Sequence, residues 1–434
     1  MSFKNIPFYI VLLASVLPWF AAAANSKMLT YIPDALALIA YVLFMARYPG
    51  RAFRINPYFA LVLLLVALHM AFGMVSGRGI GSGGLVALFV LTFIFSKLLL
   101  DQGEGVYSEE AITISRQISL IYKIHIMFIL TELIIRLNGH TDFLTSIAGY
   151  ATEVTKYKMH NGAQFLTFLG FDDISGMNSM LLGSQTASQL VLFACFLFVP
   201  LYKGYSLKKG GLSSKFWFIF SLALFPFVVS MTAVGIMVLL ILFMVYILPN
   251  TILNRRSIWI ILPLLAVAFS SVLFPLVTYR IQTPADLEAY RIAFTGAPLR
   301  FLELPLLDQI MGHGANTGNL HIIPDFGLGM VTYAAGFFLV GLALICLTQV
   351  ILRVCRVIRR DSSTGFSSSP WTTLAGINIV LSIGWAISLV HYTPALELGG
   401  KHLFAMHLAV CLVALKRMVK IRRSTRHINL QVKE

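Results

Sequence analysis

The residues best suited to chemistry lie in one stretch, "GHGANTGNLHIIPDFGLGMVTYAAG", from Gly312 to Gly336. His313, His321 and Asp325 are candidate proton acceptors, since a general base must come within about 3 Å of the proton it takes. Histidine brings an ordinary pKa near 6.5. A carboxylate must be desolvated to rise from about 4 toward that range. Asp325 stands where a long apolar run begins, so it is rigidly aimed and can also cap a helix. The histidines ride on a glycine-rich loop. Gly312, Gly314 and Gly318 miss the dinucleotide-binding spacing by one residue, and no strand precedes them. They are read as a tight bend that brings backbone close to a bulky ligand or offers its amides to an anion. A plain turn into the next helix accounts for them equally well.

Three arginines precede this stretch: Arg280, Arg291 in "AYRIAF", and Arg300. A guanidinium presents a planar fork that matches phosphate oxygens. Headgroup contact, or pairing with Asp286, Glu288 and Glu303, is the simpler use of any one of them. At least one of the three is expected to bind phosphate. Further upstream, His140, Asp142, Asp172 and Asp173 flank and occupy "FDDISGMNSMLLGSQTASQ". Paired aspartates can hold a metal or a sugar, but in a loop they are ordinarily just solvated. Glu132 and Arg136 are four apart and are expected to pair along a helix. His69, His125 and His407 stand inside apolar runs, where ionisable groups are functional candidates. A hydrogen bond between helices is the favoured reading of each.

The elements that must position these residues are read from composition. Of 434 residues, 58% are hydrophobic and 12% charged, against about a quarter charged in a soluble domain. Mean hydropathy is +0.82. Apolar runs of roughly 18 residues or more recur, which reads as an all-α polytopic membrane protein and not as a barrel of alternating ten-residue segments. Twelve spans are expected, at about 6–24, 28–46, 57–76, 84–100, 117–137, 184–203, 216–230, 233–249, 258–278, 326–352, 372–391 and 403–416. The last is short, and Pro226 interrupts the seventh. "FAAAANS" resembles a signal-peptide cleavage site, but the first run is read as a retained span. Cys195, Cys346, Cys355 and Cys411 lie within spans or at their inner ends and form neither a disulfide framework nor a metal site.

Lys and Arg set the orientation. With the N-terminus inside, only Lys27, Arg78, Arg136, Lys156, Lys158, Arg280, Arg291, Arg300 and Lys401 fall outside, nine of 33 basic residues. Both termini are therefore expected in the cytoplasm, with a basic tail over 417–434. The net charge of +15 serves topology, and no nucleic-acid-binding pattern accompanies it. The chain reads as one transmembrane domain over 1–434. Two long loops, about 138–183 and 279–325, face outside, and loops of that length are usually functional. Each carries apolar residues at helical spacing: Phe143, Leu144, Ile147, Ala151 and Val154 in the first, and Leu299 to Ile310 in the second. Such pieces lie in the membrane interface or pack on the bundle.

One arrangement in this layout is familiar. Arg300, a gap of about twelve residues, Gly312 and Gly314, then Asp325 followed eleven positions later by Gly336 resembles the superfamily of Wzy-type O-antigen polymerases and WaaL-type O-antigen ligases. "LLGSQTASQ" is similar to the small-residue stretch that opens a span in that family, and the twelve-span layout also matches. The chain departs from the family at Ala233 in "SMTAVG", where an arginine is common. An arginine before "LLGS" is not evident either, so a second arginine would have to be Arg280, Arg291 or Arg136. The ligase branch usually has histidine at the Asp325 position, which favours the polymerase branch. The resemblance implies a bundle like that of GT-C glycosyltransferases in a bacterial inner membrane. It implies undecaprenyl-diphosphate-linked oligosaccharides as donor and acceptor, membrane lipids around them, and a metal-independent reaction with no cofactor. A polysaccharide chain-length regulator is a further partner it suggests. On this reading Arg300, Arg280 or Arg291 holds diphosphate beside Gly312 and Gly314, and Asp325, His313 or His321 takes the acceptor proton, with Asp325 ranked first. An O-antigen ligase acting on lipid A-core and a lipid-linked sugar flippase are the alternatives.

Overall fold

Away from water, a helix satisfies every backbone amide and carbonyl within its own segment, which is why long apolar runs fold as helices. A computed structural model describes residues 3–24, 26–52, 57–77, 83–100, 107–137, 301–314, 327–363, 370–389, 396 and 398–431. The spans expected between 184 and 278 and the first long loop lie outside these residues. Among the described residues there are helices and no strand. They are α1 (Ile6–Ala23), α2 (Ile32–Arg47), α3 (Pro49–Ala52), α4 (Pro57–Val75), α5 (Gly83–Leu99), α6 (Tyr107–Leu137), α7 (Leu306–Met311), α8 (Gly327–Ser363), α9 (Pro370–Ser388) and α10 (Leu398–Gln431), with 3-10 turns at Phe3–Asn5 and Lys27–Tyr31. Among the described residues five segments are long and apolar enough to cross a membrane: Met28–Arg47, Pro57–Val75, Leu328–Val357, Pro370–Ser388 and Gly399–Ile421. Phe3–Leu17 and Gly83–Leu99 are shorter apolar helices.

The first four expected spans match α1, α2, α4 and α5 to within a few residues. Three helices run beyond their expected spans. α6 starts at Tyr107 and not at 117, α8 runs on to Ser363, and α10 is a long helix where a short span was expected. In each case the helix continues past the apolar run into residues such as Arg, Lys and Glu. These are good helix formers, so loss of hydrophobicity ends the span but not the helix.

α10 is the centre of the bundle. Leu403, Met406, Ala409, Val410, Val413 and Ala414 have no exposed surface, so this helix is apolar on every side. It packs most extensively on α5 and α9, then on α1. Ala405, Ala409 and Ala414 let neighbouring backbones come close, as small residues do between membrane helices. α2, α4 and α8 are peripheral and leave Leu38, Ile39, Leu61, Leu64, Leu344 and Ile345 exposed.

Contacts at the helix ends fix relative directions. Lys401 Nζ donates to Asp34 Oδ2 at 2.5 Å, at the starts of α10 and α2. Arg417 Nη2 donates to Glu110 Oε1 at 2.8 Å, tying the far end of the α10 span to the start of α6. The rise from Lys401 to Arg417 is about 24 Å, comparable with the roughly 30 Å hydrocarbon core of a bilayer. Thr372 also contacts Met418 at 3.5 Å, so α9 runs opposite to α10. The alternation expected from sequence therefore holds for these helices. At the Arg417 end Phe3, Phe44, Tyr48, Tyr41 and Phe93 form an aromatic layer. Arg47 and Arg51 stand over Tyr48 at 5.6 and 5.5 Å.

Candidate functional site

The segment 301–314 and the first turns of α8 are built against each other. Pro305 stands at the N-cap of α7 in an extended conformation, and its ring removes one donor where a helix start has no partner for it. Gln309 turns back and donates to Leu302 O at 2.8 Å and to Leu304 O at 2.7 Å. Phe301 is buried edge-on against Phe337, with ring centres 4.8 Å apart, and against Tyr333 at 6.1 Å. Leu302, Leu306, Leu307 and Ile310 face outward. The expected amphipathic helix thus exists in part: Pro305 breaks it, and α7 closes with Gly312 N donating to Asp308 O at 2.8 Å.

Gly312 then meets a break in α8. Gly336 has φ 70° and ψ 170° inside an otherwise helical span, and Gly312 has φ 80° and ψ 163°. Both values are essentially glycine-only. The break frees carbonyls of the preceding turn, and an unpaired carbonyl away from water is costly. His313 N donates to Tyr333 O at 2.9 Å, and Gly314 N to Ala334 O at 3.2 Å. The two glycines also touch. A Cβ on Gly312 would stand 2.3 Å from Ala334 O and 2.6 Å from Gly336 N. A Cβ on Gly336 would stand 2.3 Å from Ile310 O and 2.4 Å from Gly312 N. What Gly312 and Gly336 admit is therefore backbone against backbone.

His313 is held with them. Its backbone is pinned to Tyr333, and its ring centre is 5.3 Å from the Tyr333 ring. Its Nδ1 stands 3.9 Å from Asp308 Oδ2, with the His313 side chain 38% exposed and Asp308 13%. Two backbone hydrogen bonds thus fix the 313–314 end of the glycine-rich loop to the helix. A half-exposed imidazole with a carboxylate behind it can accept a proton from a ligand on its open side. His321 and Asp325, together with Arg280, Arg291 and Arg300, lie outside the described residues, as do His140, Asp142, Asp172 and Asp173. Glu132 and Arg136 fall on α6. Just past the break, His69 of α4 stacks on Phe338 with ring centres 6.1 Å apart, a ring contact where a hydrogen bond between helices was expected.

The other intramembrane histidines tie helices together, as expected. Asn378 Nδ2 donates to Leu374 O at 2.8 Å, which leaves its Oδ1 to accept from His407 Nδ1 at 2.7 Å. His407 Nε2 is then the acceptor for the Tyr122 hydroxyl. Ser15 gives its hydroxyl proton to Val11 O at 2.8 Å, so His125 Nε2 donates to Ser15 Oγ at 3.0 Å. Tyr122, His125, Asn378, His407 and Ser15 are all buried.

Sequence reasoning missed one polar cluster at the Gly312 end of the bundle. Asp34 Oδ2 accepts from Lys401, and His402 Nε2 lies 3.0 Å from Asp34 Oδ1. Lys401 was the available signal, a basic residue on the sparsely basic side of the last span. No protein-family model, characterised protein or solved structure matches this chain.

Proposed function

We propose that this chain is a membrane glycosyltransferase that polymerises undecaprenyl-diphosphate-linked oligosaccharide repeat units at the periplasmic face of a bacterial inner membrane. The architecture we propose with it is a twelve-span, GT-C-type bundle with both termini in the cytoplasm. One observation carries the reading. Gly312, Gly314 and Gly336, which belong to a single motif in the resembling family, join in one backbone contact at the mouth of a span. Helix directions support it too: α2 and α10 start at one end of the bundle, and α8 starts there as well, since Phe338 early in α8 meets His69 late in α4 while Phe59 early in α4 meets Phe93 at the other end; both long loops are expected at that first end.

In the proposed reaction the acceptor sugar hydroxyl attacks the anomeric carbon of the donor. The bond from that carbon to the diphosphate oxygen breaks, and undecaprenyl diphosphate leaves. Arg300, with Arg280 or Arg291, neutralises the leaving diphosphate, and Asp325 or His313 takes the hydroxyl proton. The test is deletion of the gene followed by analysis of surface polysaccharide. Surface chains that stop at one repeat unit support a polymerase. Loss of all polymer from lipid A-core means a ligase instead. Cysteine labelling of 138–183 and 279–325 checks the orientation, and labelling only from the cytoplasmic side refutes it.

A second reading, a lipid-linked sugar flippase, is favoured by the broken helix itself, because discontinuous spans often line transport sites. It requires repeat units to accumulate on the cytoplasmic side in the deletion strain, whereas the polymerase reading requires them outside.

A further inference from the structure

Residues 301–314 touch α8 at both ends and at one level. At the start, the Phe301 ring meets Phe337 and Tyr333, with centres 4.8 and 6.1 Å away. At the finish, Gly312 lies against Gly336, His313 N donates to Tyr333 O and Gly314 N to Ala334 O. All these partners fall between Tyr333 and Phe337, a rise of about 6 Å along a helix. The segment therefore leaves α8 and returns to it at the same depth, so it runs across the span and not along it.

That depth can be counted. α8 carries no charged residue before Arg353. Tyr333 stands about 30 Å from Arg353 along the helix, roughly the thickness of the hydrocarbon core. Tyrosine is also enriched at that boundary. The segment is thus held at the edge of the apolar layer, at the Gly312 end of the bundle. Its outward face suits that place: Leu302, Leu306, Leu307 and Ile310 are all exposed, Leu306 by 71%. Phe337, which holds Phe301, is itself 49% exposed, so the segment is attached to a side of α8 that the other described helices leave open. An apolar face of this kind marks a partner, and at this depth the partner is acyl chain. We infer that residues 302–310 rest in the membrane leaflet on the Gly312 side, with Leu302, Leu306, Leu307 and Ile310 among the upper acyl carbons, as amphipathic interfacial segments do. One face is clasped to α8 and the other is held by lipid. His313, bonded to Tyr333, then stands at the depth of the lipid headgroups. The sugar chemistry proposed above is not needed for this inference.

The test uses the full chain in vesicles of phosphatidylethanolamine and phosphatidylglycerol. A photoreactive side chain is placed at one position at a time, as Leu306→p-benzoylphenylalanine or Leu307→p-benzoylphenylalanine, and the products are read by mass spectrometry. Both residues are exposed, so the larger ring is accommodated. Each is expected to gain the mass of an intact phospholipid. Phe301→p-benzoylphenylalanine, on the clasped face, is expected to link to α8 instead. Links from both Leu306 and Leu307 to a second copy of the chain, or to another part of the same chain, in place of lipid overturn the inference. On the unaltered chain in the same vesicles, hydroxyl radicals made in the water are expected to leave Leu306 and Leu307 unoxidised. Oxidation of these leucines at the rate seen in the unfolded chain puts the face in water and overturns the inference as well.

Discussion

A single methyl group at Gly336 tests the contact on which the site is built. In Gly336→Ala the new Cβ lies 2.3 Å from Ile310 O and 2.4 Å from Gly312 N. Both are backbone atoms, so no side chain can swing aside. The conformation itself, φ 70°, costs a non-glycine residue about 1–3 kcal/mol. Overpacking of a rigid contact adds about 1–3 kcal/mol. The cheapest relief is to undock 301–314, which opens the bonds from His313 N to Tyr333 O and from Gly314 N to Ala334 O. Hydrogen exchange of a peptide covering 306–314 reads that opening. A destabilisation of about 4 kcal/mol corresponds to exchange faster by up to roughly a thousandfold. Gly341→Ala is the control on the same helix, since a Cβ there meets nothing within 4 Å. Gly312→Ala is expected to resemble Gly336→Ala, and the double variant to cost less than the sum, because one undocking relieves both. If Gly336→Ala exchanges like Gly341→Ala, the glycines do not hold the segment.

Glu110 and Arg417, each 8% exposed, form a buried pair, so Arg417→Met alone is expected to destabilise by about 3–5 kcal/mol, and adding Glu110→Leu to restore most of it; thermal unfolding reads both. Glu110 precedes the span of α6, and burial holds its carboxyl above the usual range even beside Arg417. The folded state thus keeps this proton more tightly than the unfolded chain, and the stability it contributes is greatest in acid and falls as pH rises through the folded pKa; the Leu–Met pair is expected to lose that slope. Arg300→Ala is expected to lose about 2–4 kcal/mol of transition-state stabilisation and Arg300→Lys to stay impaired for want of the fork; normal polymer length in Arg300→Ala removes the assignment. Asp325→Asn is expected to shorten the polymer more than His313→Gln, and the reverse order makes His313 the base.

Helix positions were legible because apolar runs and 3.6-residue periodicity are local properties. Gly312, Gly314 and Gly336 stood out for spacing, but their use did not, since a glycine in an apolar run reads the same whether it meets a lipid, a sugar or another backbone. The pairings of Asp34 with Lys401 and Glu110 with Arg417 join residues hundreds of positions apart, and a single sequence carries no periodic sign of them. Asp34 in particular looks like a routine acidic residue in the first turn of a helix. His407 was legible as a helix tie, but Asn378 and Tyr122, its two partners, were not, because neither is unusual in an apolar span.

The join at Gly336 also bears on how the chain is made. A span with two freed carbonyls is a poor substrate for insertion, because each unpaired group entering hydrocarbon costs several kcal/mol. Here the donors come first in order of synthesis: His313 and Gly314 leave the ribosome before Tyr333 and Ala334 do. The partners that the broken helix lacks are therefore already made when it reaches the apolar phase, and no later span is needed to supply them. An insertion that separates 301–314 from 327–337 is therefore expected to slow entry of the span as well as to open the finished contact.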